Sequence, residues 1–110
     1  MAEFITYKRW ALRGGREETE LVELVREEIV PHFRKLPGCL GLELLRIKGT
    51  RSYLALQHWE SHDRFRETTG SDYYPTWYRE YLPILARWDA IMAFEDEWDA
   101  EELLGRSSDV

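Results

Sequence analysis

The residues with chemical range are His32, His58 and His62, the lone Cys39, Lys8, and a surplus of aromatics: five Trp, six Tyr and four Phe in 110 residues. No two histidines share a helix, His58 falling on a strand and His62 just after a helix cap, so no metal centre within one chain is expected. G-x-S-x-G, the P-loop, the dinucleotide fingerprint and H-E-x-x-H are all absent, which removes hydrolase, nucleotide-binding and metalloprotease readings. What remains is the chemistry of an apolar pocket. Trp10, Trp59, Trp77 and Tyr78 can wall a flat pocket for an aromatic ligand. Lys8, His58, His62 and Tyr78 are the candidates for holding a phenol oxygen or moving its proton.

Each candidate has a plainer reading. The four aromatics can be core. His32, next to Pro31 at a helix kink, is expected to be exposed, and His62, just after a helix cap, to be solvated. His58 neighbours Trp59 on a strand and must point to the opposite face. Cys39, at a strand start after Pro-Gly, reads as a small buried hydrophobe. Lys8, Arg9 and Arg46, if they point inward on an apolar sheet face, need a counter-ion: an anionic substrate, or a carboxylate such as Glu43 or Glu60.

The elements that position these residues follow from periodicity. Residues 3–12 (EFITYKRWAL) are aromatic and β-branched and read as a strand, broken by Arg13-Gly14-Gly15. Leu21, Val22, Val25, Ile29, Phe33 and Leu36 recur at three- and four-residue steps among glutamates, the mark of an amphipathic helix that Pro31 kinks or ends. Pro37-Gly38 stops it. Residues 39–47 and 52–60, joined by Lys48–Arg51, form a hairpin. Ser61 caps a short helix ending at Gly70. Ser71 or Asp72 caps the next, whose apolar stripe is Tyr74, Trp77, Tyr78, Tyr81 and Ile84 or Leu85, with Pro83 distorting its end. Residues 88–95 (WDAIMAFE) form the last strand. The order is β, α, β, β, α, β: an α+β, ferredoxin-like βαββαβ domain, a four-stranded antiparallel sheet with helices on one face, over residues 1–96. Residues 97–110 form an acidic, then polar tail, mobile at Arg106–Val110.

Charge bounds the partners. Fifteen basic against 21 acidic residues give a net charge of −6, and the basic residues are scattered, which disfavours nucleic acid and anionic membrane surfaces. One cysteine forms no internal disulfide. The sequence has neither a secretory signal nor an apolar run of roughly 20 residues, so a cytoplasmic address is expected.

Both strand faces carry apolar groups. Phe4, Thr6, Lys8 and Trp10 alternate with Ile5, Tyr7, Arg9 and Ala11; Tyr53, Ala55, Gln57 and Trp59 alternate with Leu54, Leu56 and His58; Met92 and Phe94 alternate with Ile91 and Ala93. Helices from one chain cover one face only. The other is expected to be an interaction surface, most economically with a second copy; the alternative is a monomer whose apolar face the tail partly covers.

Pro37-Gly38-Cys39-Leu40-Gly41-Leu42-Glu43-Leu44-Leu45 resembles the "PGFLGYELL" opening of the second strand in antibiotic-biosynthesis-monooxygenase-like (ABM) domains. Leu56–Ser61 (LQHWES) with Phe65 resembles their "WES…F" signature, and Tyr74–Trp77 and Leu82–Leu85 sit where their third helical segment lies. The resemblance covers roughly residues 3–96. It implies a dimeric α+β barrel, a homodimer joined through the second sheet face. It also implies a monooxygenase that needs no cofactor and acts on a small aromatic or polyketide-like quinol or anthrone. A non-catalytic small-ligand module is the alternative. The haem-degrading branch is disfavoured: aligned on Trp59 and Phe65, Lys8 stands at its strand Asn, Thr68 at its helix Trp and Tyr78 at its haem-ligating His.

Overall fold

The computed structural model describes residues 2–106. The chain runs β1 (Phe4–Leu12), α1 (Glu18–Leu24), a π-helical turn (Val25–Ile29), α2 (Val30–Phe33), β2 (Cys39–Arg46), β3 (Ser52–Trp59), α3 (His62–Thr69), α4 (Tyr74–Ile91) and β4 (Met92–Glu101). The four strands form one antiparallel sheet in the order β2-β3-β1-β4, the ferredoxin-like arrangement.

Register fixes the faces. Phe4 pairs with Trp59, Thr6 with Gln57, Lys8 with Ala55 and Trp10 with Tyr53. On the other side of β3, Leu42 pairs with Gln57 and Leu44 with Ala55. Opposite residues share a face, so the alternation legible in each strand becomes one surface covered by the helices. Its core is Phe4, Leu21, Tyr53, Trp59, Trp77 and Met92, with Trp59 1% and Trp77 2% exposed. The opposite face carries Tyr7 stacked on Trp98 at 5.4 Å, and exposed Leu45.

The first helix starts at a capping box, Glu17 with Glu20. Its expected kink near Pro31 takes the form of the π-helical turn, in which the Val30 N–H donates to the Val25 carbonyl, one residue further back than in an α-helix. Pro31 has no N–H to give, and the wider turn accommodates that gap. Gly38 has φ +86°, and a side chain there would collide with the Arg64 side chain, so only glycine fits where the helix gives way to β2. Ser61 caps α3 as expected, its oxygen accepting from the Arg64 N–H at 3.0 Å.

Three local expectations need correction. Trp88–Ile91 is helical because α4 continues through Pro83, and the last strand lies at Met92–Glu101, so residues 97–101, expected in the tail, pair with β1 and belong to the sheet. Pro83 and Arg79 both lie on the exposed side of α4, where water can hydrate a carbonyl that lacks its intrahelical donor. Neither Ser71 nor Asp72 caps α4: the N-cap is Tyr73, and the Ser71 hydroxyl donates to the Thr68 carbonyl at 2.7 Å. His32 is buried, 6% exposed, with its Nε2 paired to the Trp77 carbonyl at 2.9 Å. The mobile tail expected at Arg106–Val110 falls, from Ser107 on, outside the described residues.

Candidate functional site

Between the sheet and the helices lies a cavity of about 370 Å³. Its floor is the covered sheet face: Lys8 and Trp10 from β1, Leu42 and Leu44 from β2, Ala55, Gln57 and Trp59 from β3. Val25 and Ile29 of the π-helical turn close one side, and Tyr74, Trp77, Tyr78, Tyr81 and Trp88 of α4 supply the aromatic wall. The volume lies within the ~300–1,000 Å³ of small-molecule sites, and the lining mixes apolar and aromatic walls with polar groups, among them Lys8, Gln57, Thr69 and three tyrosines.

The wall is built by stacking. Trp77 stacks on Tyr74 at 5.4 Å and on Tyr81 at 5.2 Å, while His32 lies against Trp77 at 4.7 Å. Two hydrogen bonds lock this tower: the Trp77 indole N–H donates to the His32 carbonyl at 2.8 Å, and His32 Nε2 donates to the Trp77 carbonyl. His32 therefore holds α4 to α2. Trp10 meets Trp88 edge-on at 5.3 Å. On the floor, the Trp59 indole N–H donates to Gln57 Oε1 at 3.1 Å.

The structure sorts the candidate residues. Lys8, Trp10, Trp59, Trp77 and Tyr78 all line the cavity. Trp59 and Trp77 are core and wall at once, whereas Tyr78 is 43% exposed, toward the rim. The other two histidines are elsewhere. His58 lies on the opposite sheet face, its Nδ1 held by Glu3 and its Nε2 by Glu43. Burial opposes its charged form, but the two carboxylates outweigh that, and its pKa is raised. His62 is exposed and rests on the Phe4 ring at 4.7 Å. Lys8 pairs with Glu97 at 4.0 Å, Arg9 with Glu95 at 3.2 Å and Arg46 with Glu18 at 2.6 Å, so the carboxylates that answer these cations are neither Glu43 nor Glu60. Cys39 is half-buried against the core, and burial raises its thiol pKa, which keeps it a thiol.

Sequence reasoning passed over Gln57, Tyr81 and Asp89. Burial, followed by the charge of Asp89, pushes the Tyr81 hydroxyl up to about 12; burial also raises Tyr74. Both remain O–H donors at neutral pH and do not act as bases. The signal for Gln57 was present in the strand alternation, which sets it beside Trp59 on the covered face. Tyr81 stood in the helix stripe, but nothing in the stripe separates wall from core. Among the described residues no group of three or more His, Cys, Asp and Glu is placed to hold a metal ion, and no helix is long and apolar enough to cross a membrane.

Residues 4–80 match the antibiotic biosynthesis monooxygenase family. The chain belongs to this family. No curated protein sequence matches it. Among solved structures, SnoaB, a cofactor-independent oxygenase from Streptomyces nogalater, is similar at a TM-score of 0.62 and 17% identity over 98% of each chain. A candidate antibiotic biosynthesis monooxygenase from Bordetella bronchiseptica is similar at 0.63 and 18%, covering 96% of this chain and 100% of that one. MhuD, a heme-degrader from Mycobacterium tuberculosis solved with two hemes bound, is similar at 0.63 and 19%, covering 94% and 99%. At these identities the likeness is one of fold. The ABM family thus accounts for the sheet order and, at family level, for a monooxygenase type of activity. The three positions of the haem-degrading pattern differ here: Lys8 is tied to Glu97, the Thr68 hydroxyl donates to the Pro37 carbonyl at 2.5 Å, and Tyr78 sits at the rim.

Proposed function

We propose that this ABM-family chain is a cofactor-independent monooxygenase acting on a small polycyclic quinol or anthrone, in the cytoplasm. The observation that carries this reading is the cavity itself, a space of about 370 Å³ walled by Trp10, Trp59, Trp77 and Trp88, with polar groups interspersed among them. A planar, electron-rich ring system fits such walls by stacking and apolar burial. For such a substrate the organic ring supplies the electrons. Loss of a proton from the ring methylene, which lies across the central ring from the carbonyl and is conjugated with it, gives a carbanion that passes an electron to dioxygen. A carbon–oxygen bond then forms at the same carbon, and loss of water leaves a second carbonyl. One oxygen atom enters the product and the other leaves as water, with no external reductant. The protein's part is to hold the ring, exclude bulk water and stabilise the developing oxyanion. Of Lys8, His58, His62 and Tyr78, only Lys8 and Tyr78 border the cavity, and the Lys8 ammonium, held by the exposed Glu97 no closer than 4.0 Å, suits that last role.

The second sheet face, with Tyr7, Leu45 and Trp98, is proposed as the contact with a second copy, giving the dimeric α+β barrel. Trp98→Arg is expected to halve the mass measured by light scattering, and a monomeric parent protein would refute this.

Oxygen uptake with a panel of anthrones and quinols tests the activity. The expected result is one dioxygen consumed per anthrone converted to anthraquinone. No uptake across the panel overturns the oxygenase reading, and ligand binding without uptake would identify a binding module instead.

A further inference from the structure

We propose that Gln57 selects and positions the ligand in this cavity by donating its side-chain amide hydrogens to a ring carbonyl or phenolate oxygen, with Trp59 fixing the amide's orientation. This rests on reading the cavity as an aromatic-ligand site and goes beyond it, by naming what decides which aromatic ligand enters.

The orientation is set by chemistry. An indole N–H only donates, so the Gln57 atom facing Trp59 Nε1 at 3.1 Å must be the amide oxygen. The amide nitrogen is then turned away from Trp59. Among the described residues it has no acceptor, and Gln57 borders the cavity, so its two N–H groups are left to water or a ligand. Thr6, directly across the ladder, does not take them up: its hydroxyl is itself buried without a partner. Trp59 is 1% exposed, so the residue that aims the amide is held by the core.

The surroundings favour an acceptor oxygen. Lys8 lies one face-position along β1 from Thr6, adding a cation on the same floor that pairs with Glu97 at 4.0 Å, and Tyr74 and Tyr81 keep their O–H groups. Asp89 and Glu43 are the carboxylates of the lining, and both are exposed. A flat hydrocarbon laid on this floor would strip water from the Gln57 amide and return nothing. A ring carbonyl at the same place replaces the lost hydrogen bonds. Selectivity for an oxygen-bearing ring over the same ring without oxygen follows, on the order of tenfold in affinity for one buried hydrogen bond.

Fluorene and 9-fluorenone separate this from ring binding in general, since they share a rigid three-ring shape and differ by a methylene against a carbonyl. The readout is the ratio of their dissociation constants, measured by calorimetry on the full chain, with circular dichroism confirming that each variant is folded. The parent protein is expected to prefer fluorenone about tenfold. Gln57→Leu is expected to bring the ratio to about one, and Gln57→Glu to invert it, because a carboxylate repels the carbonyl oxygen. Trp59→Phe, which lets the amide flip, is expected to fall between. A parent ratio near one, or a preference that survives in Gln57→Leu, overturns the proposal, as does failure of both probes to bind. Fluorenone preference without oxygen uptake by any quinol would overturn the oxygenase reading and leave this one standing. Uptake without the preference would do the reverse.

Discussion

Replacing Trp77 by phenylalanine separates a hydrogen bond from the packing around it. Trp77 is 2% exposed, stacked between Tyr74 and Tyr81, with Phe33 edge-on at 4.9 Å. A phenyl ring retains most of this contact, and the lost volume costs about 1–2 kcal/mol, a fraction of the ~3–5 for complete truncation of a buried aromatic. The greater loss falls on the His32 carbonyl. It accepts the indole N–H at 2.8 Å in a buried setting, and phenylalanine leaves it without that donor, at a cost of about 1–3 kcal/mol. The sum, roughly 3 kcal/mol, is a large part of the ~5–15 kcal/mol available to a domain. For a chain of this size it corresponds to a fall of roughly 10–20 °C in thermal midpoint. The matched control is Trp88→Phe. Trp88 is also buried, 5% exposed, but its indole nitrogen has no acceptor among the described residues, so only the packing loss of about 1–2 kcal/mol applies. Urea unfolding of both variants, with slopes compared to exclude a change of mechanism, gives the two free energies. If Trp77→Phe is no more destabilised than Trp88→Phe, the lock between α2 and α4 does not contribute as described.

Three further outcomes follow from other parts of the molecule. Thr68→Val removes the 2.5 Å hydrogen bond that ties α3 to the Pro37 carbonyl and is expected to cost about 1–2 kcal/mol in urea unfolding; a neutral result would refute the tie. Glu3 and Glu43 raise the pKa of His58, so its stabilising contribution is complete below its unfolded value near 6.5 and is lost as pH rises through the folded value. The urea midpoint should accordingly fall between pH 6 and pH 9, with a smaller fall in His58→Gln; equal slopes would exclude this pair of carboxylates as the cause. Ala55→Phe places a ring on the cavity floor between Lys8 and Leu44 and is expected to weaken fluorenone binding at least tenfold while the protein stays folded, as read by calorimetry and circular dichroism. Unchanged affinity would place the ligand elsewhere.

The two faces of each strand were legible because alternation has a period of two and needs no tertiary information: Phe4, Lys8 and Trp10 share one side of β1, and Ala55 and Trp59 one side of β3, while the pairing that joins the two sets came from the register. The Ser61 cap and the glycine turn before β2 were legible for a similar reason, since each is a demand of the local backbone. The end of α4 was not. Residues 88–95 have strand-like composition, and whether Trp88–Ile91 coils or extends depends on what they pack against; here Trp88 closes on Trp10 while Ile91 enters the core. His32 shows the same limit. Beside Pro31 it reads as an exposed kink residue, yet the aromatic tower of α4 buries it and gives its ring a carbonyl to bond.

The sequence by itself determined the order of elements, the two apolar faces of the sheet and the surplus of indoles that needed a place. Which of those indoles became core and which became wall was decided only when α4 packed across the sheet, because a side chain's role depends on neighbours remote in the chain. The same holds for Gln57. Its face follows from alternation, but the direction of its amide follows from Trp59, two residues on, being buried deeply enough to leave that oxygen as its hydrogen-bond partner.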